Sequence, residues 1–174
     1  TAYNHRFEPH IIKMAKVLNN KELGKIYSIR MFYGNGTARL VRDSLWRDKG
    51  SGVLSDLGSH LFDILDYWFE DIRDIKFTVV GAFTHENKSF DNVILLGQGK
   101  FPIQLEVSLV SWRNSFTCDI FSENGSAHIN SFCKWGPSTL TLRKRIFPSG
   151  KPLEQKFLTK KNFNFLEVKT TLLK

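Results

Sequence analysis

Apolar residues recur along the chain with two spacings, one typical of helices and one typical of strands. Near the start, Pro9 suits the first turn of a helix, apolar positions follow at helical spacing, and Gly24 is expected to close the segment. Residues 25–33 then alternate and predict a strand. Residues 34–51 are polar and contain three glycines, so they predict a long loop, and loops of that length usually have a function.

The second half of the chain is dominated by alternating segments. After an amphipathic helix at about residues 52–69, turn sequences such as GQGK, ENGS and PSGK separate seven predicted strands. These strands are residues 75–84, 93–97, 101–112, 116–122, 127–132, 139–147 and 153–158. A last segment, residues 165–174, is compatible with the start of a helix. The pattern predicts an α+β fold in one domain: an open, mainly antiparallel sheet of about six to eight strands with helices packed on one face.

The helix over residues 52–68 carries two stripes. At about 100° per residue, its apolar residues form one sector wide enough to face a core. These core-facing residues are Leu57, Leu61, Ile64, Leu65 and Trp68. Asp56, His60, Asp63 and Tyr67 form a narrower titratable sector beside it. An aspartate four residues before a histidine can orient the imidazole, which suits proton transfer to or from a hydroxyl.

Two other interpretations of this pair stay open. A carboxylate in the first helical turn is favourable in any protein, and Ser55 or Asp56 could simply cap the helix. An isolated Asp–His pair at this spacing is more often structural than catalytic. A metal site is also chemically possible, but the sequence shows no further ligand cluster, and we therefore expect no metal.

Composition describes one domain of ordinary size. The 174 residues are 41% hydrophobic and include 15 Phe and 4 Trp, which is enough for a sizeable core. No apolar run approaches a membrane span, no signal peptide opens the chain, and the first residue is not Met, so we expect a segment of a longer protein. A hairpin about Asn124-Gly125 would place Cys118 opposite Ser131, so Cys118 and Cys133 are expected to be buried thiols. That fits a reducing, cytoplasmic location.

The net charge of +8 is confined to one part of the chain. Residues 134–174 hold ten Lys and Arg but two acidic residues, whereas residues 1–133 are balanced. We interpret most of this charge as a solvated strand edge, because no nucleic-acid motif accompanies it. Neither a nucleic-acid partner nor a membrane partner is expected. The apolar and aromatic residues of the strands favour a homo-oligomer formed through the open sheet face.

Two stretches resemble a known family when taken together. They are YNHRFEPHIIKMAKVL, at residues 3–18, and GSGVLSDLGSHLFDIL, at residues 50–65, with GKIYSI and Trp46-Arg47 between them. Their order and spacing are similar to the C-terminal domain of the glucose–fructose oxidoreductase/inositol dehydrogenase family (Gfo/Idh/MocA). The resemblance covers most of the chain, and the D-x-x-x-H within G-x-L-x-D-x-G-x-H is its most specific part. It implies a substrate-binding and oligomerisation domain that follows a Rossmann domain.

The resemblance also implies a reaction. The full-length protein would transfer hydride between NAD or NADP and a sugar, polyol or sugar derivative, with the cofactor bound mainly by the missing N-terminal domain. No G-x-G-x-x-G motif and no E-K-P motif occurs in this chain, so we assign it no cofactor-binding residue. The chain alone is expected to be inactive. The alternative is a non-catalytic binding or oligomerisation domain derived from that family.

Residue roles follow from the same resemblance. His60 would take the hydroxyl proton, and Asp56 would orient and polarise it. The residues implied to line the substrate pocket are Tyr3, Asn4, Arg6, Trp46, Arg47 and Asp63. Of these, Asp63 is expected to act indirectly, by supporting its neighbours.

Overall fold

An eight-stranded sheet with helices on one face forms the framework of the structure, a computed structural model that describes residues 3–44, 46–147 and 150–159. The strands are β1 (Ile26–Gly34), β2 (Lys76–Phe83), β3 (Asn92–Gln98), β4 (Pro102–Ser108), β5 (Ser115–Ser122), β6 (Gly125–Asn130), β7 (Ser138–Lys144) and β8 (Leu153–Thr159). Their order is β2-β3-β4-β1-β5-β6-β7-β8. Only the β1–β4 pairing is parallel, which confirms the predicted α+β fold with a mainly antiparallel sheet.

Three α-helices cover one face of the sheet. They are α1 (Pro9–Asn19), α2 (Ala38–Arg42) and α3 (Ser59–Trp68), and a π-helical turn (Leu54–Gly58) leads directly into α3. Short 3₁₀ turns occur at Asn4–Phe7, Glu70–Asp74 and Cys133–Trp135. Among the described residues, no helix is long and apolar enough to cross a membrane. The segment 165–174, with its predicted helix, lies outside the described residues.

Two local predictions were wrong. Residues 34–51 are not all loop, because Ala38 and Val41 are buried one helical turn apart and so favour the short helix α2. Helix α1 ends at Asn19 and not near Gly24, since the chain turns through Lys21, whose φ is 55°. Gly24, at φ +68°, belongs to the turn before β1.

The core lies between the helices and the inner face of the sheet. All five residues predicted to face the core from the helix at 52–68 are buried. They pack with inward residues of the central strands, such as Ile29 of β1 and Leu105 of β4. Trp68 closes one end of this layer, and its indole N–H donates a hydrogen bond to the carbonyl of Ile11. The apolar stripe therefore fixes α3 against the middle of the sheet.

The β5–β6 hairpin has a different register from the predicted one. Ser122 pairs with Gly125, so the turn residues are Glu123 and Asn124, and Cys118 lies opposite Ile129. Gly125 adopts φ +151°, and a side chain there would collide with a backbone carbonyl of β7, so this glycine belongs to the strand and not to the turn. Both cysteines are free and buried, which confirms two buried thiols.

The outer face of the sheet carries polar pairs between aromatic side chains. Asp119 on β5 and His128 on β6 are 2.6 Å apart across the strands, and His128 also contacts the Ser126 hydroxyl at 2.8 Å. Arg30 of β1 lies 5.9 Å from the ring of Phe121. Exposed apolar side chains such as Leu96 and Phe121 also lie on the strands, so polar and apolar groups are mixed there. Self-association through it stays a prediction.

The basic segment is only partly described. In β7 and β8, Arg143 pairs with Glu154 over 2.9 Å, and Lys144 and Lys156 are exposed, as expected of a solvated strand edge. Lys134 is the exception, because its ammonium group lies among the residues of the candidate site. Residues 160–174 lie outside the described part of the chain.

Candidate functional site

Aromatic and titratable side chains meet where β1 ends and α3 begins. The imidazole of His60 lies 4.3 Å from the ring of His5, 6.0 Å from Tyr3 and 6.1 Å from Tyr33, measured between ring centroids. The ammonium of Lys134 lies 3.5 Å from His5 Nε2. Four separate segments therefore build one cluster around His60, which we call the histidine cluster: Tyr3, His5, Tyr33, His60 and Lys134.

The helix bearing the cluster starts with an irregular turn. Asp56 lies inside the π-helical turn and His60 inside α3, so neither Asp56 nor Ser55 caps the helix. A π turn has i→i+5 hydrogen bonds, which changes the angular offset of residues four apart, and such turns are frequent at functional sites. Asp56 Oδ2 accepts a hydrogen bond of 2.7 Å from Arg47, and the structure places no hydrogen bond between Asp56 and His60. Asp56 can therefore act on His60 through its charge.

The surroundings of His60 favour a neutral imidazole. Burial lowers the pKa of His60 from its ordinary value and the Lys134 charge lowers it further, whereas Asp56 and Asp63 oppose both effects. Nδ1 is buried and has no hydrogen-bond partner among the described residues, which leaves Nε2 as the nitrogen open to a ligand. A neutral imidazole with one accessible nitrogen can accept a proton.

His5 supports the ring of His60 from behind. Only 2% of His5 is exposed, and its Nε2 lies 3.1 Å from the Tyr33 hydroxyl. Its ring also stacks on Phe132 at 4.4 Å. Burial, with help from Lys134 and His60, lowers the pKa of His5 to about 2, and burial raises the pKa of Tyr33. Both side chains are therefore neutral at physiological pH and supply a fixed, uncharged wall.

Arg6 and Asp63 bind each other. The Arg6 guanidinium donates two hydrogen bonds to the Asp63 carboxylate, one of them 3.0 Å long, and Asp63 is only 8% exposed. Arg6 also lies over the ring of Tyr67, at 5.6 Å. The expectation that Asp63 acts indirectly fits this arrangement, because its carboxylate holds Arg6 in place.

Removing Arg6 should destabilise the fold. Arg6→Ala leaves the buried Asp63 carboxylate without its cation, and we expect a loss of about 2 kcal/mol in the free energy of unfolding, since Arg6 itself is partly exposed. Urea denaturation measures it. Arg73→Ala is the matched control, because it breaks an exposed pair with Asp66, another aspartate of α3, and should cost nothing measurable. Equal losses in the two variants would contradict this assignment.

The remaining predicted pocket residues either line a neighbouring cavity or lie next to His60. Trp46, 77% exposed, and Arg47 line a cavity of about 360 Å³ together with Lys49, Ser55 and Asp56. His60 does not line this cavity, so Asp56 is the link between the cavity and the histidine cluster. Tyr3 is exposed beside His60, and Asn4 is exposed next to it in the chain.

A second cavity lies outside the candidate site. It has a volume of about 720 Å³, lies between α1 and the β7–β8 end of the sheet, and contains none of the predicted site residues. Among the described residues, no group of three His, Cys, Asp or Glu side chains could hold a metal ion.

Sequence reasoning did not find three members of the cluster. His5 stands inside the quoted stretch YNHRFEP but has no spacing relation to His60. Tyr33 looks like an ordinary inward residue of a strand, and Lys134 was counted with the basic segment. Their meeting depends on the order of strands in the sheet, which no local pattern reveals.

Comparison with known proteins agrees with this architecture. The protein-family model of the GFO/IDH/MocA C-terminal domain matches residues 11–128 of this chain. Among solved structures, levoglucosan dehydrogenase in complex with NADH and levoglucosan superposes with a TM-score of 0.77 at 18% identity, over 99% of this chain and 54% of that one. An inositol dehydrogenase homolog from Azotobacter vinelandii, complexed with NADH and myo-inositol, gives 0.66 at 15% identity, over 94% of this chain and 42% of that one. Both likenesses concern the fold.

Two curated relatives are similar in sequence. Glucose-6-phosphate 3-dehydrogenase of Bacillus subtilis is 36% identical over 73 residues, which are 39% of this chain and 21% of that protein. Trans-1,2-dihydrobenzene-1,2-diol dehydrogenase of Bos taurus is 26% identical over 144 residues, which are 79% of this chain and 41% of that protein. The chain therefore spans less than half the length of either relative.

Proposed function

This chain belongs to the GFO/IDH/MocA family of oxidoreductases, and from that premise we propose that it is the substrate-binding and catalytic half of an NAD(P)-dependent dehydrogenase. The substrate would be a sugar, a polyol or a sugar derivative. The observation that carries the proposal is His60: a half-buried, neutral imidazole with one accessible nitrogen, set between aromatic walls. The names of the relatives, all dehydrogenases, support the reaction class.

The surroundings of His60 fit one end of a nicotinamide cofactor. Tyr3 stands nearly perpendicular to His60 and is exposed, so the two rings form an open aromatic corner that a flat ring can enter. The described strands contain no βαβ unit with a phosphate-binding loop, so the rest of the dinucleotide would be held by an upstream domain. When bound, the cofactor supplies hydride acceptance and donation. The choice between NAD and NADP lies with that upstream domain.

His60 would carry the proton. As an alcohol is oxidised, the hydroxyl proton passes to the accessible Nε2 of His60, and in the reverse direction the imidazolium returns it to the carbonyl oxygen. The imidazolium formed is stabilised by the charges of Asp56 and Asp63, which favour its protonated form. His5 and Tyr33 hold the His60 ring on its buried side.

The cavity beside Asp56 would receive the rest of the substrate. Arg47 and Lys49 offer hydrogen-bond donors there, and Trp46 offers an aromatic surface for the apolar face of a sugar ring. Arg47 already binds Asp56. A substrate hydroxyl that bound either side chain would therefore alter the hydrogen bond between them. Asp56 would thus connect substrate binding to the charge around His60.

The proposal is tested with the full-length protein, including all residues upstream of Thr1. Purified protein is incubated with NAD or NADP and a panel of aldoses, polyols and sugar phosphates, and reduced nicotinamide is followed by absorbance. We expect turnover with at least one member of the panel and a preference for one cofactor. Absence of turnover in both directions, by a folded protein that binds the cofactor, would contradict the proposal and favour a non-catalytic binding domain.

A further inference from the structure

Lys134 directs its ammonium group at the histidine cluster, and no step proposed above uses it. The residue as a whole is exposed, but Nζ lies 3.5 Å from His5 Nε2 and 4.8 Å from the ring centroid of Trp135. The ring of Phe132, which stacks on His5, is 5.8 Å from the same ammonium. The cation is therefore held between two aromatic rings and a histidine.

The turn that carries Lys134 is anchored to the core. The backbone N–H of Cys133 donates a 2.9 Å hydrogen bond to Glu8, a carboxylate that is 2% exposed. The N–H of Trp135 donates to the carbonyl of Phe132. Because both neighbours of Lys134 are fixed, the ammonium is directed at the cluster by the fold and not by a flexible backbone.

Several other groups face His60, and their charges compete. Tyr3 directly precedes the first 3₁₀ turn, His5 lies in that turn, and Tyr33 comes from β1. The lowered pKa of His5 and the raised pKa of Tyr33 leave both uncharged around neutral pH. Asp56 in the π turn and Asp63 in α3 favour the imidazolium. Within the described part of the chain, Lys134 is the cation that opposes them among the charges acting on His60.

We propose that Lys134 is a positioning residue whose charge, held against His5, adds to burial in keeping His60 neutral, so that His60 meets the substrate hydroxyl as a base. Without this cation, burial alone would oppose Asp56 and Asp63, and more of His60 would be protonated before substrate arrives. The electrostatic part rests on the 3.5 Å approach of Lys134 Nζ to His5 Nε2 and on the 4.3 Å between the His5 and His60 ring centroids, whereas the role in proton transfer rests on the proposed function. Burial of the ammonium lowers the pKa of Lys134, as expected for a cation held against aromatic rings.

The first test measures the protonation of His60 directly. In the full-length protein labelled with ¹⁵N-histidine, the ring nitrogens of His60 are titrated by NMR and assigned with His60→Gln. In Lys134→Met the titration midpoint of His60 should move to higher pH, because a like charge has been removed. Lys134→Arg keeps the charge and should restore the wild-type midpoint. Lys144→Met removes a lysine from the opposite end of the β6–β7 hairpin and should leave it unchanged.

The second test measures the pH dependence of kcat/KM. In Lys134→Met the acid limb of the kcat/KM profile should move to higher pH, so that the ratio of rates at about pH 6 and about pH 8 falls by about threefold. An unchanged midpoint in Lys134→Met that still folds like the wild type would overturn the proposal, as would a rise in KM with an unchanged pH profile, which would make Lys134 a substrate contact. A shifted midpoint in a protein that turns over no sugar would uphold the electrostatic role and count against the proposed function alone.

Discussion

Replacing His60 with alanine in the full-length protein is expected to lower kcat by about 100-fold or more, the usual contribution of a general acid–base residue. The hydroxyl proton then has no acceptor near the reacting carbon, because Asp56 is bound to Arg47 and Asp63 is bound to Arg6. Steady-state rates with the best substrate of the screen measure the effect. KM should change little, since His60 has one accessible nitrogen to offer the substrate.

Asp66→Ala is the matched control for this variant. Asp66 lies on the same helix, pairs with Arg73 on the surface, and makes no hydrogen bond or ion pair with the histidine cluster in the described part of the chain. Its kcat should stay close to that of the wild type. If His60→Ala raised KM and left kcat unchanged, His60 would be a binding residue, and the proton acceptor would have to be another group.

Replacing Gly52 with alanine is expected to destabilise the fold by about 3 kcal/mol and to displace the π turn that leads into α3. Gly52 adopts φ +52°, and a Cβ there would fall well inside contact distance of the backbone of Phe90. The same carbonyl of Phe90 accepts a 2.8 Å hydrogen bond from the N–H of Val53, so the clash cannot be relieved without breaking the bond. Urea denaturation measures the loss of stability.

Gly50→Ala provides a close control. Gly50 has φ +59°, almost the same backbone conformation, but nothing lies within 4 Å of the position of its Cβ. It should cost about 1 kcal/mol, the penalty of the left-handed conformation alone. The difference in unfolding free energy between the two variants therefore measures the cost of the close approach of Gly52 to Phe90. Similar costs for both would mean that the close approach is not what fixes the helix start.

The core-facing side of the helix at residues 52–68 could be predicted from the sequence, and its polar side only in part. Helical periodicity identifies a core face such as that of Leu61 and Ile64 because burial depends on spacing alone. The predicted pairing of Asp56 with His60 fails because the π turn changes their offset and because Arg47 binds the carboxylate instead. Arg47 comes from a neighbouring loop whose path is set by tertiary packing, so spacing along the helix could not reveal it.

The rest of the site depends on topology. His5, Tyr33 and Lys134 are separated by 28 to 129 positions in the chain, and they meet because β1 lies in the middle of the sheet, between β4 and β5. The register of the β5–β6 hairpin was predicted two residues away from the observed one, because Asn124-Gly125 was taken as the turn. A single sequence predicts the helices and strands and which side of each is buried. It does not predict the long-range strand pairing that brings particular polar side chains into one pocket.

The central claim is that His60 accepts the substrate proton, and chemical rescue tests it most directly. Single-turnover formation of reduced nicotinamide is measured for full-length His60→Ala with and without added imidazole. If the claim is right, the variant is slow, and its rate rises with the concentration of neutral imidazole, which occupies the vacated space and takes the proton. A variant that forms reduced nicotinamide as fast as the wild type without imidazole would contradict the claim.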